Sequence, residues 1–371
     1  MNIYVDGMFF LLSGIGRVYE NVLRALIEAD GVQRITTVVP DSRKRDFQGM
    51  FSSPRLDTRF VPYEQGSWEE FFLKGRVIGR FRPKPDLFYF PNFYTPFFFH
   101  GKFVVNINDL IPLYPFYDIP EWKKKTVRFL LWRSLRNAAG CVCISRFTRE
   151  EVTRMFRCDA KKLSIIHPWI DDSFLEMVNS APEDEPRAVE GDYLLFVGNR
   201  FVHKNLGTLV RAFRLLMPDY PRLKLVVAGA RMRRVDDVDI AVKELGIGDK
   251  VIEMENPRDA VVRNLYRHAK AFVFPSLVEG FGIPPLEAMA FGVPVVCSDI
   301  PVIREVCGEA ARYAHPSDPA SFAAEIRSVF SDPEAGQMIR KGRERVCLYR
   351  RETALKQYLD LFRRCIEMRM G

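Results

Sequence analysis

The sequence predicts an α/β protein of two domains, each built on a parallel β-sheet that is covered by helices. Short apolar runs rich in Val, Ile and Phe alternate with segments of helical periodicity along the whole length. This alternation is typical of parallel sheets that are buried on both faces. A polar, acidic stretch with two prolines divides the pattern into two halves, and 371 residues are enough for two domains.

The predicted elements follow one another in the same way in both halves. The strands of the first half are Ile3–Val5, Ile35–Val39, Leu87–Phe90, Phe103–Ile107, Val142–Ile144 and Leu163–Ile166. Those of the second half are Tyr193–Val197, Leu223–Ala228, Val251–Met254, Phe272–Phe274, Val295–Cys297 and Arg312–Ala314. Helical periodicity runs through Arg17–Ala29, Asn205–Met217, Asp259–His268 and Ala320–Phe330, and through a long Arg-rich segment, Pro333–Met370.

We place the first domain at residues 1–179, the linker at 180–192 and the second domain at 193–350. Residues 351–371 are expected to form a helix that either stays with the second domain or crosses back to the first. Ligands bind at the carboxyl ends of parallel strands. Two such domains facing each other would therefore form a site in the cleft between them.

Composition limits the partner and the compartment. Lys and Arg exceed Asp and Glu by 55 to 47, and a charge of +8 favours an anionic partner, with mere solubility as the alternative. No nucleic-acid-binding motif accompanies this charge. Seven cysteines without a CxxC pair indicate free thiols in a reducing compartment. Without a signal peptide or an apolar span of about 20 residues, the chain is expected in the cytoplasm, free or at the inner face of the membrane.

The most informative stretch of the second half is Glu279-Gly-Phe-Gly-Ile-Pro-Pro-Leu-Glu287. Apolar runs precede and follow it, which predicts a strand, a glycine loop, a short helix and another strand. Pro284 and Pro285 suit the first turn of that helix, and the N–H groups of a helix N-terminus bind anions. Because the two carboxylates can accept hydrogen bonds from hydroxyls, the stretch predicts a site for a phosphate flanked by sugars.

Two basic residues, Arg200 and Lys204, follow the predicted strand Tyr193–Val197, in the loop before the next helix. Both side chains can reach a diphosphate from a rigid strand end. Taken alone they are more simply solvated loop residues, and the neighbouring Glu279 stretch is what favours phosphate binding.

In the first half, Ser13-Gly14-Ile-Gly16-Arg17 lies between a predicted strand and the helix expected from Val18. Gly14 and Gly16 would let the backbone approach a phosphate or a sugar, although glycine is common in such turns.

Asn108 and Asp109 end another apolar strand of the first half and are candidates for hydrogen bonding to a sugar. For Asp109, a role as helix cap or turn residue is equally well supported.

We predict neither a metal site nor a cofactor. Asp237-Val-Asp239 has the spacing of a metal-binding Asp-x-Asp motif, but acidic residues also favour the first turn of a helix, which is the interpretation we prefer. The five histidines lack the spacing of metal ligands.

Residues 120–136 form a candidate amphipathic helix in which Trp122, Phe129 and Trp132 accompany six Lys and Arg residues. Such a helix either contacts an anionic membrane or packs its apolar side on the sheet.

These residues together give the chain a resemblance to the retaining glycosyltransferases of family 4, which have the GT-B fold of two Rossmann-like domains. Glu279 and Glu287 match the E-x7-E signature of that family, and residues 13–17 are similar to the glycine loop of its mannosyltransferase-like members. The match runs over nearly the whole length and is densest from Tyr193 to Tyr313.

The resemblance implies roles for the residues of the second domain. Glu279 would contact the donor sugar near its reacting face, Glu287 would hold the ribose hydroxyls, and Lys204 would bind phosphate. The glycine loop would meet the diphosphate and the sugar through Gly280, Phe281 and Gly282.

The chain departs from the family pattern at two positions. Asn108 stands where the family usually has His, and an amide cannot carry a proton or a positive charge. His203 precedes Lys204 where related sequences often have Arg, so Arg200 is expected to supply the second cation.

The sequence therefore predicts a retaining, metal-independent transfer of a hexose from a nucleotide-sugar donor to a glycan or lipid-linked acceptor. By resemblance the donor is GDP-mannose and the product a cell-surface polysaccharide such as O-antigen, capsule or exopolysaccharide. The candidate catalytic residues are Glu279, Asp109 and Asn108, and the candidate donor ligands of the first domain are Gly14, Gly16 and Arg17. The alternatives are a UDP-sugar donor on the same fold and a non-catalytic subunit that binds nucleotide or carbohydrate.

Overall fold

A computed structural model of the chain describes residues 1–117, 119–180, 185–331 and 335–368. The chain divides into two compact units, Met1–Pro168 with Arg351–Gly371, and Trp169–Arg350. Residues 169–179, which the sequence analysis gave to the first domain, lie in the second unit. The predicted linker also falls in the second unit, and its residues 181–184 lie outside the described residues.

The first unit contains a parallel sheet whose described strands number seven. They are β1 (Asn2–Asp6), β2 (Arg34–Pro40), β3 (Leu56–Val61), β4 (Leu87–Phe90), β5 (Phe103–Ile107), β6 (Gly140–Cys143) and β7 (Leu163–Ile165). Their order across the sheet is β3-β2-β1-β4-β5-β6-β7, so the direction in which strands are added reverses between β1 and β4. In open parallel sheets, ligands bind beside such a reversal at the carboxyl ends of the strands.

Helices connect the strands of the first unit. They are α1 (Ser13–Glu28), α2 (Lys44–Met50), α3 (Trp68–Phe72), α4 (Lys74–Ile78), α5 (Glu121–Asn137) and α6 (Arg146–Phe156). Helix α1 begins at Ser13, before the predicted start at Val18, so Gly14, Gly16 and Arg17 lie in its first turns and not in a loop ahead of it. Gly14 and Gly16 lower the local helix propensity, and for this reason the predicted start of α1 lies later than the observed one.

Strand β3 was missed because Asp57, Thr58 and Arg59 interrupt its apolar pattern. It pairs only with β2 in the described sheet order and so lies at an edge. An edge strand tolerates polar residues that a central strand, buried on both faces, does not.

The second unit contains a parallel sheet with six described strands. They are β8 (Tyr193–Val197), β9 (Lys224–Ala228), β10 (Val251–Met254), β11 (Ala271–Phe274), β12 (Val295–Ser298) and β13 (Arg312–Ala314), in the order β10-β9-β8-β11-β12-β13. The order reverses between β8 and β11. Each of these two strands leads into one of the loops that the sequence analysis singled out in this half.

The helices of the second unit are α7 (Asp172–Ser180), α8 (Leu206–Leu216), α9 (Asp237–Leu245), α10 (Asp259–His268), α11 (Ile283–Ala290), α12 (Pro301–Cys307), α13 (Pro319–Ser331) and α14 (Ala335–Val346). Their buried faces cover a sheet whose strands β8, β11 and β12 are almost wholly buried. This burial on both sides explains why these strands are continuous apolar runs in the sequence.

The last described helix, α15 (Arg351–Glu367), belongs to the first unit. Its Tyr358 and Phe362 rings lie 5.6 Å and 5.5 Å from the ring of Tyr89 on β4. The Arg-rich helical segment predicted from Pro333 therefore contains two helices, α14 and α15. Tyr349 lies between them, and its hydroxyl donates to the Glu305 carbonyl at 3.3 Å. In the described part of the chain no helix is both long and apolar enough to cross a membrane.

Candidate functional site

The loops that follow β8 and β11 bring Lys204 and Glu279 together. Lys204 Nζ donates to Glu279 Oε1 at 2.6 Å, and the two side chains are 14% and 10% exposed. The ammonium group also lies over the ring of Phe274, 5.0 Å from its centre, where the ring face attracts a cation. A cation and a carboxylate thus lie side by side at the strand ends where the order of the sheet reverses.

Backbone and amide hydrogen bonds hold these two loops to each other. The Leu277 N–H donates to the His203 carbonyl at 2.8 Å. Asn205 donates its side-chain N–H groups to the carbonyls of Pro275 at 3.0 Å and Pro316 at 2.7 Å. Its backbone has φ +57°, a left-handed conformation that Asn adopts more readily than most residues. Asn205 was not among the predicted site residues, although an Asn between a strand-end turn and a helix is a signal for such a role.

Helix α11 starts as the sequence predicted, with prolines in its first turn. Its N-cap is Gly282 at φ +125°, and no side chain of the described residues caps it. A β-carbon at this position would come within 2.8 Å of Ile303 Cδ1, the end of a side chain that can move, so it is the backbone conformation that requires glycine. Gly280 and Phe281, just before it, are buried as well. Pro284 and Pro285 contribute no N–H groups here, so the attraction for an anion beside Glu279 comes chiefly from the positive end of the helix dipole.

Glu287, the second carboxylate of the pair, lies on α11 and is 5% exposed. The Tyr266 hydroxyl, from α10, donates to Glu287 Oε2 at 2.8 Å. This hydrogen bond orients a carboxylate that would otherwise be costly to bury. Tyr266 was not predicted, because nothing in the sequence connects residues on different helices.

Arg200 occupies a different environment from Lys204. It is 4% exposed, donates to Asp236 Oδ1 at 2.6 Å and pairs with Glu253. Arg231 completes the network with contacts of 2.8 Å to Asp239 and 2.6 Å to Glu253. The role of Arg200 as a phosphate ligand remains a prediction, and its geometry favours a structural role that ties the β8 loop to the start of α9.

The pair Asp237 and Asp239 lies at the start of α9, which confirms the helix interpretation. Asp236 caps this helix and accepts from the Val238 N–H at 3.0 Å. Asp237 accepts from the Gly207 N–H at 2.8 Å, at the start of α8. Burial raises the pKa of Asp237 above its ordinary value. The described residues contain no group of three His, Cys, Asp or Glu side chains placed to hold a metal ion.

His203 adds no positive charge beside Lys204 at neutral pH. The residue is 6% exposed and its ring stacks on Phe201 with 5.4 Å between centres. Burial lowers its pKa to about 4, even though the Glu279 carboxylate acts in the opposite direction.

In the first unit the two glycines of α1 have different surroundings. A β-carbon on Gly16 would lie 2.6 Å from the Phe9 carbonyl oxygen, so packing alone requires this glycine. A β-carbon on Gly14 would meet no atom within 4 Å. Gly14 and Arg17 are both exposed. Packing within this unit therefore does not require glycine at position 14.

Asn108, at the end of β5, is 8% exposed and its amide has two partners. The N–H group donates to the Pro91 carbonyl at 2.8 Å, and the oxygen accepts from Asn106 at 3.4 Å. Through its bond to Pro91, Asn108 holds the loop that follows β4. Asp109 accepts from the Ile111 N–H at 2.9 Å, a bond typical of the turn role that was one of its two predicted roles.

A buried triad at the end of β1 was not anticipated. Lys74 Nζ contacts Asp6 Oδ2 at 2.9 Å and Glu70 Oε1 at 2.8 Å, and all three side chains are at most 2% exposed. Burial alone would lower the pKa of Lys74, but the two carboxylates outweigh it and the pKa lies above its ordinary value. The triad ties α3 and α4 to the sheet, and no local sequence pattern connects Asp6 with Glu70 and Lys74.

Helix α5 packs one face inward and exposes a second apolar face. The buried residues are Leu130, Leu131, Ser134 and Leu135. Trp122, Phe129 and Trp132 are 64%, 49% and 44% exposed. Exposed basic residues lie among them, namely Lys123, Lys125, Arg128 and Arg136. Both interpretations of the helix therefore have support, since it packs on its own unit and still presents an aromatic, basic surface.

Comparison with known proteins places this architecture in a family. Residues 179–345 match the model for group 1 glycosyl transferases, and residues 12–174 match the model for glycosyltransferase family 4. The chain belongs to glycosyltransferase family 4.

Two curated relatives are O-antigen chain mannosyltransferases. Mannosyltransferase B of Escherichia coli is 33% identical over 260 residues, which cover 67% of this chain and 66% of that protein. RfbU of Salmonella typhimurium is 29% identical over 231 residues, which cover 62% of each chain. The matches thus span somewhat less than two thirds of these relatives.

Solved structures share the fold over nearly the whole chain. Sucrose-phosphate synthase from Thermosynechococcus elongatus has a TM-score of 0.75 at 20% identity, covering 98% of both chains. Anabaena HepE in complex with UDP and glucose has a TM-score of 0.76 at 15% identity, covering 97% of this chain and 98% of that one. The fold is the two-sheet α/β fold known as GT-B, as the sequence predicted.

Proposed function

We propose that this protein is a retaining, metal-independent hexosyltransferase that moves mannose from GDP-mannose to a glycan or lipid-linked acceptor in cell-surface polysaccharide biosynthesis. The observation that carries the proposal is the meeting of Lys204, Glu279 and the uncapped start of α11 at the strand reversal of the second sheet. The choice of mannose rests on the O-antigen mannosyltransferases among the relatives.

The donor's diphosphate would lie against the N-terminus of α11, with Lys204 neutralising it. Departure of a nucleoside diphosphate builds negative charge on the leaving oxygen, and stabilising that charge is the main task of the site. A fixed ammonium and the positive end of the α11 helix dipole can do this without a metal ion. Glu287, held by Tyr266 at 2.8 Å, would accept the ribose hydroxyls.

Glu279 would accept hydroxyls of the donor sugar and stabilise positive charge that develops on its ring. In the proposed reaction the acceptor hydroxyl attacks the anomeric carbon from the face that the diphosphate leaves. Its proton passes to the departing phosphate oxygen, so one C–O bond breaks as another forms and the configuration is kept. We also propose that Gly14, Arg17, Asn108 and Asp109 of the first unit contact the donor or the acceptor.

We also propose that the exposed face of α5 contacts an anionic membrane, where a lipid-linked acceptor would be found. Aromatic rings at a bilayer interface combined with Lys and Arg side chains are typical of peripheral anchors. Sedimentation with anionic vesicles at low salt, but not with neutral vesicles, supports this contact. Equal behaviour of wild type and the Lys125→Glu/Arg136→Glu variant with both vesicle types contradicts it.

Donor cleavage tests the transferase proposal without knowledge of the acceptor. The protein is incubated with GDP-mannose, UDP-glucose and ADP-glucose in the presence of EDTA, and the released sugar is observed by ¹H NMR before its anomers equilibrate. The proposal predicts slow release of the α-anomer from GDP-mannose. Release of the β-anomer would contradict a retaining mechanism. Cleavage of UDP-glucose alone would identify a UDP-sugar as the donor in place of GDP-mannose. The absence of cleavage with every donor would favour a non-catalytic binding subunit.

A further inference from the structure

Lys204 is already paired with Glu279, although both residues are proposed to serve the donor. Their contact of 2.6 Å is shielded, since the side chains are only 14% and 10% exposed. Of the neighbouring basic positions, Arg200 is paired with Asp236 and Glu253, and His203 is neutral near pH 7. A diphosphate bound beside Lys204 would therefore share its ammonium with the Glu279 carboxylate.

We infer that Glu279 makes the site select the sugar-bearing nucleotide over the nucleoside diphosphate that remains after transfer. This inference rests on the proposed function. It assigns Glu279 a role in donor selection and product release, in addition to its proposed contact with the sugar.

The physical basis is competition between two anions for one cation. When a nucleoside diphosphate binds, the carboxylate either leaves Lys204 or remains next to a second negative group. Both outcomes weaken binding. The end phosphate of a nucleoside diphosphate also carries a second ionisation with a pKa of about 6, which a sugar-linked phosphate lacks. The spent nucleotide therefore meets the carboxylate with more negative charge than the donor does.

The donor sugar offsets this penalty. Its hydroxyl groups can donate hydrogen bonds to the Glu279 carboxylate, which accepts at both oxygens. The carboxylate then exchanges its bond with Lys204 for bonds with the sugar, and the ammonium turns to the diphosphate. After transfer the sugar is gone, and the return of Glu279 to Lys204 favours release of the product.

Calorimetric titration of GDP and GDP-mannose into wild type and Glu279→Gln tests the inference, with UDP and UDP-glucose as the second nucleotide pair. Gln keeps the shape of the side chain and removes its charge. We expect GDP to bind about tenfold more tightly to Glu279→Gln, a change of about 1.4 kcal/mol. GDP-mannose should bind no more tightly than to wild type, so the preference for donor over product should fall at least tenfold.

Two controls separate local from general effects. Glu309→Gln removes one negative charge from an exposed pair with Lys341 on the same unit and should leave both affinities unchanged. Comparison of the Lys204→Ala/Glu279→Gln double variant with Lys204→Ala measures the part of the gain that comes from direct repulsion between carboxylate and phosphate, because the shared cation is absent. Melting temperatures of all variants establish that each is folded.

The outcomes distinguish the inference from the function on which it rests. GDP that binds wild type and Glu279→Gln equally, or the variant more weakly, overturns the inference and leaves the proposed function standing. An equal gain for GDP and GDP-mannose overturns it as well. If neither nucleotide pair binds wild type, both the inference and the proposed function fail.

Discussion

Replacing Arg200 by Gln distinguishes a structural role from phosphate binding at the end of β8. The side chain is buried and pairs with Asp236 and Glu253, and Asp236 is only 7% exposed. Removing one partner of a buried ion pair typically costs about 3–5 kcal/mol. Arg231 remains to neutralise Glu253 at 2.6 Å, and Asp236 keeps its bond from the Val238 N–H, so we expect a smaller loss of about 2–3 kcal/mol.

Calorimetric melting is the assay for this loss. For a unit of this size each kcal/mol lowers the melting temperature by roughly 2–4 °C, so the second unit of Arg200→Gln should melt about 5–10 °C lower. The matched control is Arg211→Gln, whose pair with Glu244 is 46% and 56% exposed. A surface pair contributes at most about 1 kcal/mol, and the control should melt within about 3 °C of wild type.

Nucleotide binding completes the test. At temperatures where Arg200→Gln is folded, the structural role predicts an affinity for GDP within about threefold of wild type, because Lys204 is unchanged. A variant that melts like wild type but loses its affinity for GDP would refute the structural role and support Arg200 as a phosphate ligand.

Three further predictions follow from the same geometry. Gly16→Ala should lose about 1–3 kcal/mol of stability by overpacking. Gly14→Ala should melt no lower than wild type but should bind the donor more weakly. Equal effects of the two variants on melting and on donor binding would contradict the difference in space around the two glycines. The pKa of His203 is about 4 in the folded state and about 6.5 in the unfolded state. As the pH falls, the unfolded state therefore takes up the proton first, and the free energy of unfolding decreases below pH 6.5. Urea unfolding should show wild type losing about 2 kcal/mol more than His203→Phe between pH 7 and 5, and an equal loss would refute it. Lys74→Met leaves two buried carboxylates unpaired and should cost about 3–5 kcal/mol in urea unfolding, so a loss below about 1 kcal/mol would show that the triad contributes little.

Much of the fold was predictable because parallel strands buried on both faces must be apolar throughout. The runs that became β8, β11 and β12 show this directly, and strand ends next to glycine and charge then located Lys204 and Glu279. The same logic misses β3, where an edge position permits polar residues. It also left open which unit α15 joins, because the helix would need an apolar face for either one.

The remaining features of the candidate site depend on contacts between residues far apart in the chain. Arg200 meets partners 36 and 53 positions away, so its loop position suggested a free cation where the fold provides carboxylates. Tyr266 reaches Glu287 from another helix, and the triad of Asp6, Glu70 and Lys74 joins a strand to two helices. No local pattern encodes such pairs, which arise only when the sheet order brings the strand ends together.

The rate of donor cleavage by Lys204→Ala tests the central claim most directly. The matched control is Lys341→Ala, which removes a lysine from an exposed pair on the same unit. If Lys204 neutralises the leaving diphosphate, its loss should slow cleavage of GDP-mannose by about 10²–10³-fold, while the control keeps the wild-type rate. Equal rates for Lys204→Ala and wild type would contradict a donor site at the ends of β8 and β11.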